Sequence, residues 1–158
     1  MTLNSHTPEI ERWLTENGWF AGRDIGGRTD ELIALRVRQA AEQGHDLAPV
    51  EAAARIIRSY GELEFPYPDS SPPMILQMYP TVTFQGDAAQ FAELAENIGR
   101  PVFPVAYETY ERGIWLVDDS GRFFYLHHTG NYFLGNNEYE AFQRARRGNL
   151  EDAEDYYV

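Results

Sequence analysis

The strongest structural signal in the chain is residues 102–128, VFPVAYETYERGIWLVDDSGRFFYLHH. It contains three runs rich in β-branched and aromatic residues, at 102–108, 113–118 and 122–128. The last two runs meet at the tetrapeptide DDSG, whose residues favour tight turns because they tolerate a left-handed backbone. The stretch therefore predicts an antiparallel meander. Because the second and third runs are apolar at consecutive positions, we expect strands covered on both faces or an aromatic outer face used for contact.

Helical patterns surround this stretch on both sides. In five segments, apolar residues recur three or four positions apart and a glycine follows the last of them. The predicted helices begin near Thr7, Asp30, Pro49, Asp87 and Asn136 or Asn137. In the second of these helices, Arg36 and Arg38 are expected on or near the surface.

Three remaining segments complete the predicted fold. Residues 62–65 read as a strand and 74–84 as one or two strands, whereas the Pro-rich segment 66–73 excludes regular structure. We expect an α+β fold in which helices pack on a central, mainly antiparallel sheet. Residues 1–158 should form one domain, because that length supports a single core, with 151–158 a frayed acidic tail.

The composition of the chain excludes several classes of functional site. The chain has 158 residues and no cysteine, which excludes disulfides, Cys-ligated metal sites and thiol nucleophiles. It lacks a signal-like N-terminus and a long apolar run, so a cytoplasmic location without membrane contact is expected. The net charge is −12, and residues 61–158 carry 16 acids against 6 Arg. Such a field disfavours direct nucleic-acid binding and favours a basic protein partner, although acidity can also serve solubility alone.

The sequence gives little indication of catalytic chemistry. The chain has no GxSxG, HExxH, Walker or EF-hand pattern. His127 and His128 are adjacent, so on a strand they would point to opposite faces and could not share a metal. Pairs of carboxylates occur only where loops and turns collect acids anyway. We therefore expect no enzyme activity, no metal and no cofactor.

Binding a protein partner through a contact surface is better supported than catalysis. Tyr supplies contact area at low entropic cost, and carboxylates orient a basic partner. Acidic and aromatic residues occur together in the connections of the predicted meander. The candidate partner-binding residues are Glu108, Tyr110, Glu111, Asp118 and Asp119.

Several segments, in order and spacing, resemble the SUKH superfamily of bacterial immunity proteins, and within it the third subgroup. They are NGWFAGRD (17–24), AARIIRSYGELEF (53–65), IGRPVFPVA (98–106), GIWLVDDSGRFFYL (113–126) and EAFQRARRGN (140–149). The shared Gly18, Trp19, Arg23, Gly121 and Gly148 look like fold determinants, so the resemblance carries over no interface residue.

The resemblance implies an α+β protein that binds and neutralises a cognate polymorphic toxin. In this subgroup such toxins are often directed at nucleic acid and include deaminases of the YwqJ type. Two alternatives stay open: a scaffold or regulatory module that binds another partner through the same fold, and a small hydrolase or transferase that uses His127 or His128 with a nearby carboxylate.

Overall fold

The computed structural model describes residues 3–158 as one α+β domain, which confirms the predicted fold class. Five helices are present: α1 Pro8–Glu16, α2 Arg28–Glu42, α3 Glu51–Tyr60, α4 Asp87–Ile98 and α5 Glu138–Arg147. The strands are β1 Glu64–Pro66, β2 Ile75–Gln77, β3 Val102–Glu108, β4 Gly113–Asp118, β5 Phe123–His127, β6 Gly130–Gly135 and β7 Glu151–Asp152. All seven form one antiparallel sheet in chain order.

The helix termini follow the local signals. The Thr7 hydroxyl accepts a hydrogen bond from the Ile10 amide, and the Asn137 side chain accepts one from the Glu140 amide at 3.0 Å. Each of these oxygens satisfies an amide that the first helical turn leaves without a backbone partner. All five predicted helices are present, with ends within a few residues of the prediction.

The central strands are covered on both faces, as the unbroken apolar runs indicated. β4 is buried at every position. On one face, Phe142 of α5 packs against Trp115 of β4 and against Trp13 and Tyr60. We call this the α5 face. On the other face, α4 contacts β3, and Tyr156 stacks on Phe133 with 4.0 Å between ring centroids.

The sheet confirms a strand in segment 74–84, where one or two were expected, and it also contains a strand that was not predicted. Segment 74–84 contributes only the short β2, and β6 was not anticipated because its six residues include glycine and asparagine. The tail prediction is wrong: β7 pairs with β6, a 3₁₀ helix follows at Ala153–Tyr156, and the Val158 amide donates to Asn97 O at 2.8 Å. Burial of Ala153 and Tyr156 against the sheet holds these residues in place.

The expected surface position of Arg36 is wrong as well. Its side chain is fully buried between α2 and α4, where the guanidinium lies 3.0 Å from the Asp87 carboxylate and over the Phe91 ring. Burying a charge is tolerated when a charge of opposite sign is buried with it. Arg38 is exposed as predicted.

Candidate functional site

The five predicted contact residues do not form one surface. Glu108 ends β3, and Tyr110 and Glu111 lie in the turn that leads into β4, whereas Asp118 and Asp119 lie where β4 ends. A strand of this length separates its two ends by about 20 Å. We call the two regions the Tyr110 end, formed by segments 67–74, 109–112 and 128–129, and the Asp118 end, formed by turn 118–122.

At the Asp118 end, the Asp118 carboxylate holds its own turn together. One oxygen accepts from the amides of Ser120 and Arg122, each at 2.9 Å, and from the Ser120 hydroxyl at 2.7 Å. The other oxygen accepts from Arg122 Nε at 2.7 Å, and the Asp118 side chain is fully buried. These four hydrogen bonds leave Asp118 unavailable to a partner.

Asp119 is more exposed but is also paired. Its carboxylate lies 2.9 Å from Arg100 Nη1, which joins the turn to the segment before β3. The turn closes through Gly121, whose φ of +92° is unfavourable for any residue with a side chain. The acids of this end therefore have structural partners within the chain.

The Tyr110 end has a different character. Tyr110 lies in turn 109–112 and is 63% exposed. Both Tyr110 and Arg112 have left-handed backbones, with φ of +65° and +60°. That conformation costs roughly 1 kcal/mol for a residue with a side chain. The turn thus holds a strained backbone and presents an aromatic ring to solvent.

A chain of hydrogen bonds links this turn to the next one. Glu111 Oε2 lies 2.7 Å from His127 Nε2, and His127 Nδ1 lies 2.7 Å from Thr129 Oγ1. The Thr129 hydroxyl also contacts Tyr132 Oη at 2.7 Å. The expectation that His127 and His128 diverge is wrong, since their rings are 4.0 Å apart; β5 ends at His127, so strand alternation does not reach His128.

Glu108 lies below this turn and is only 6% exposed. Its Oε2 accepts from the Tyr67 hydroxyl at 2.5 Å, and Trp115 and Tyr125 stand beside the carboxyl. Burial raises the pKa of Glu108, and the hydrogen bond from Tyr67 opposes that effect. Glu108 is therefore not exposed at the surface of the Tyr110 end, and its side chain borders a cavity instead.

The comparison with protein families agrees with this architecture. A model of the SUKH-3 immunity protein family matches residues 6–148. The chain belongs to the SUKH-3 immunity protein family. Searches of curated proteins and of solved structures give no match. Family membership supports an immunity function in toxin systems, and it implies a cognate toxin as the partner.

Two cavities of this SUKH-3 domain open at the Tyr110 end, one on each face of the sheet. The cavity on the α5 face measures about 270 Å³, and its lining includes Glu108, Trp115 and Tyr125. The cavity on the α4 face measures about 570 Å³ and is more polar, with Gln90 and Glu93 in its wall. Glu111 and His127 line both cavities.

Sequence reasoning missed most of the surroundings of Glu108. Trp115 and Tyr125 face the same side as Glu108 because β3, β4 and β5 pair in a register that a single strand does not reveal. Gly113 could have indicated that another side chain packs closely against this position, because a Cβ there would lie 2.2 Å from the Tyr125 ring. Tyr67, by contrast, comes from the Pro-rich segment, for which the sequence predicts no position.

Within residues 3–158, no group of three or more His, Asp or Glu side chains is placed to hold a metal ion. Across the same residues, no helix has both the length and the apolar character needed to cross a membrane.

Proposed function

We propose that this immunity protein binds its toxin through the Tyr110 end and neutralises it by covering the toxin's active or substrate-binding surface. The observation that carries the proposal is the exposed Tyr110 ring on a strained turn. Residues held in unfavourable backbone conformations concentrate at binding and catalytic sites. Tyrosine is also enriched among the residues that dominate binding energy at protein interfaces.

Charge supports a basic toxin surface as the target. The chain carries a net charge of −12, and Glu111 stands beside Tyr110 with a 42% exposed side chain. Opposite charges across an interface accelerate association and fix orientation. A toxin that acts on nucleic acid, such as a YwqJ-type deaminase, needs basic residues to hold phosphates, so an acidic surface can compete for the same groups.

Catalysis is the second candidate, because the Glu111–His127–Thr129 chain joins a carboxylate, an imidazole and a hydroxyl. We favour binding for a geometric reason. The Thr129 hydroxyl also hydrogen-bonds Tyr132 Oη at 2.7 Å, so it is held within its own hairpin. His127→Ala should therefore retain toxin neutralisation, whereas a catalytic role for His127 would require the substitution to abolish it.

Co-expression with the protein encoded immediately upstream or downstream tests the proposal. Growth rescue and a co-purifying complex that weakens at high salt are expected for a charge-guided antidote. Absence of both rescue and complex would contradict the proposal. A complex without rescue would instead support the scaffold alternative.

A matched pair of variants locates the surface. Tyr110→Ala should weaken the complex by about 30-fold, as expected for an interface anchor. Phe20→Ala removes a comparably exposed ring, 59% against 63%, from the segment between α1 and α2. It should leave toxin affinity unchanged, and an equal loss in both variants would remove the Tyr110 end from consideration.

A further inference from the structure

The cavity on the α5 face contains an acid that has no basic partner within the fold. Residues 3–158 bury five acidic side chains, and three of them pair with arginine: Asp87 with Arg36, Asp118 with Arg122 and Glu138 with Arg55. A fourth, Glu140, lies in the first turn of α5 and accepts from Asn136. Glu108 is the fifth.

Glu108 forms no ion pair with any described residue of the chain. Arg146 of α5 packs over Trp13 and lies 3.6 Å from Glu9 instead. Buried carboxylates are normally paired, since removing a charge from water is costly. The hydrogen-bond donor that Glu108 does have, the Tyr67 hydroxyl, is neutral, so the carboxylate has no opposite charge among the described residues.

The cavity above Glu108 has the size and lining for one side chain. Its volume of about 270 Å³ lies just below the roughly 300–1,000 Å³ of clefts that enclose drug-sized ligands. Trp115, Tyr125 and Tyr132 supply aromatic rings, and Met74 and Leu134 supply apolar wall. Aromatic faces attract cations, and a guanidinium stacks on them especially well.

We propose that this cavity receives an arginine side chain of the toxin, whose guanidinium pairs with the Glu108 carboxylate. The inference rests on the proposed function, because it names the toxin group that enters at the Tyr110 end. The exposed Tyr110 and Glu111 make the outer contact, and the arginine becomes the buried anchor. Enclosed charge pairs at interfaces contribute far more than pairs at the rim.

The first test needs no toxin. Ethylguanidinium chloride is titrated into the full-length protein at constant ionic strength, with the Trp115 indole N–H resonance as reporter and neutral ethylurea as the matched probe. Ethylguanidinium should cause a saturable shift that ethylurea does not cause. Glu108→Gln, which keeps the shape of the side chain, should abolish the shift. An equal response in Glu108→Gln would overturn the proposal.

A second variant covers the case in which Glu108→Gln disturbs the fold. Ala145→Phe adds a ring from α5 into the cavity without altering the carboxyl. It should also remove the ethylguanidinium response. Retention of the wild-type response in a folded Ala145→Phe protein would place the cation elsewhere and overturn the proposal.

The toxin measurement separates this inference from the proposed function. Glu108→Gln should weaken toxin binding by about 30-fold or more, as expected for one partner of an enclosed charge pair. Asp119→Asn removes the same charge at the Asp118 end and should leave affinity unchanged. If the wild type binds and Glu108→Gln binds equally well, the arginine cavity is wrong and the proposed function stands. If the wild type fails to bind, the proposed function is wrong.

Discussion

The turns at the two ends of β4 both contain acidic residues and an arginine, but they differ in physical character. At the Asp118 end, a buried aspartate accepts four hydrogen bonds, its neighbour pairs with Arg100, and glycine occupies the position with a left-handed backbone. At the Tyr110 end, a tyrosine and an arginine occupy left-handed positions, and the tyrosine ring is exposed.

The difference between the two ends shows how a turn that stabilises the fold can be distinguished from a turn that can contact a partner. An acidic turn by itself indicates neither role, since turns are rich in Asp for local reasons. Carboxylates have partners within the chain at both ends, since Glu111 is hydrogen-bonded to His127 as Asp119 is to Arg100. What separates the two ends is whether the backbone conformation suits its residues and whether an aromatic ring is exposed, and by both criteria the Tyr110 end is the better candidate for a partner.

The largest expected effect lies at the Asp118 end. Asp118→Ala should lower the free energy of unfolding by about 3 kcal/mol, because it removes a buried carboxylate and leaves two amides and Arg122 without their acceptor. Urea denaturation measures this loss. Asp119→Ala serves as the control and should change stability little. Equal stability of Asp118→Ala and the wild type would contradict the structural role of this turn.

A smaller effect is expected from exchanging the residues at left-handed positions. Gly121→Ala should cost about 1 kcal/mol, since alanine is strained at a φ of +92°. Tyr110→Gly relieves the same kind of strain while it adds freedom to the unfolded chain, so stability should stay level or rise slightly. Thermal unfolding compares the two variants, and a clear loss in Tyr110→Gly would show that the ring stabilises its own turn.

The smallest effect is a pH dependence that belongs to Glu108. Burial raises the pKa of this carboxyl in the folded state, so the folded protein holds the proton to a higher pH than the unfolded chain. Its contribution to stability is therefore greatest at acidic pH and is lost as pH rises through the raised value. The free energy of unfolding of the wild type and of Glu108→Gln can be measured by denaturation as pH rises through the raised pKa. It should fall more steeply in the wild type. Parallel curves would contradict the shift.

The sequence predicted the elements of the fold better than their partners. Helix caps such as Thr7 and Asn137 act within a few residues, so local patterns located the helices. The strands β3 and β4 have the predicted bounds because their apolar runs are long and their turns are well marked. β6 and β7 lack both signals, and they form because the neighbouring strands and the packed tail support them.

The candidate site was predicted only in part. The sequence predicted one surface formed by five residues. In the structure β4 lies between the two turns, so the five residues lie at opposite ends of that strand. The partners of Arg36 and Glu108 come from distant segments, Asp87 in one case and Tyr67 in the other. No local pattern contains such long-range pairing, so the burial of these two charges could not be predicted.

Charge reversal at each end tests the central claim most directly. The affinity of the toxin for Glu111→Arg and for Asp119→Arg is measured by calorimetry, after urea denaturation has shown that both variants fold. Glu111→Arg should weaken binding by about 10-fold to 100-fold, and Asp119→Arg should leave it within about 3-fold of the wild type. A larger loss in Asp119→Arg than in Glu111→Arg would contradict the assignment of the Tyr110 end as the toxin-binding surface.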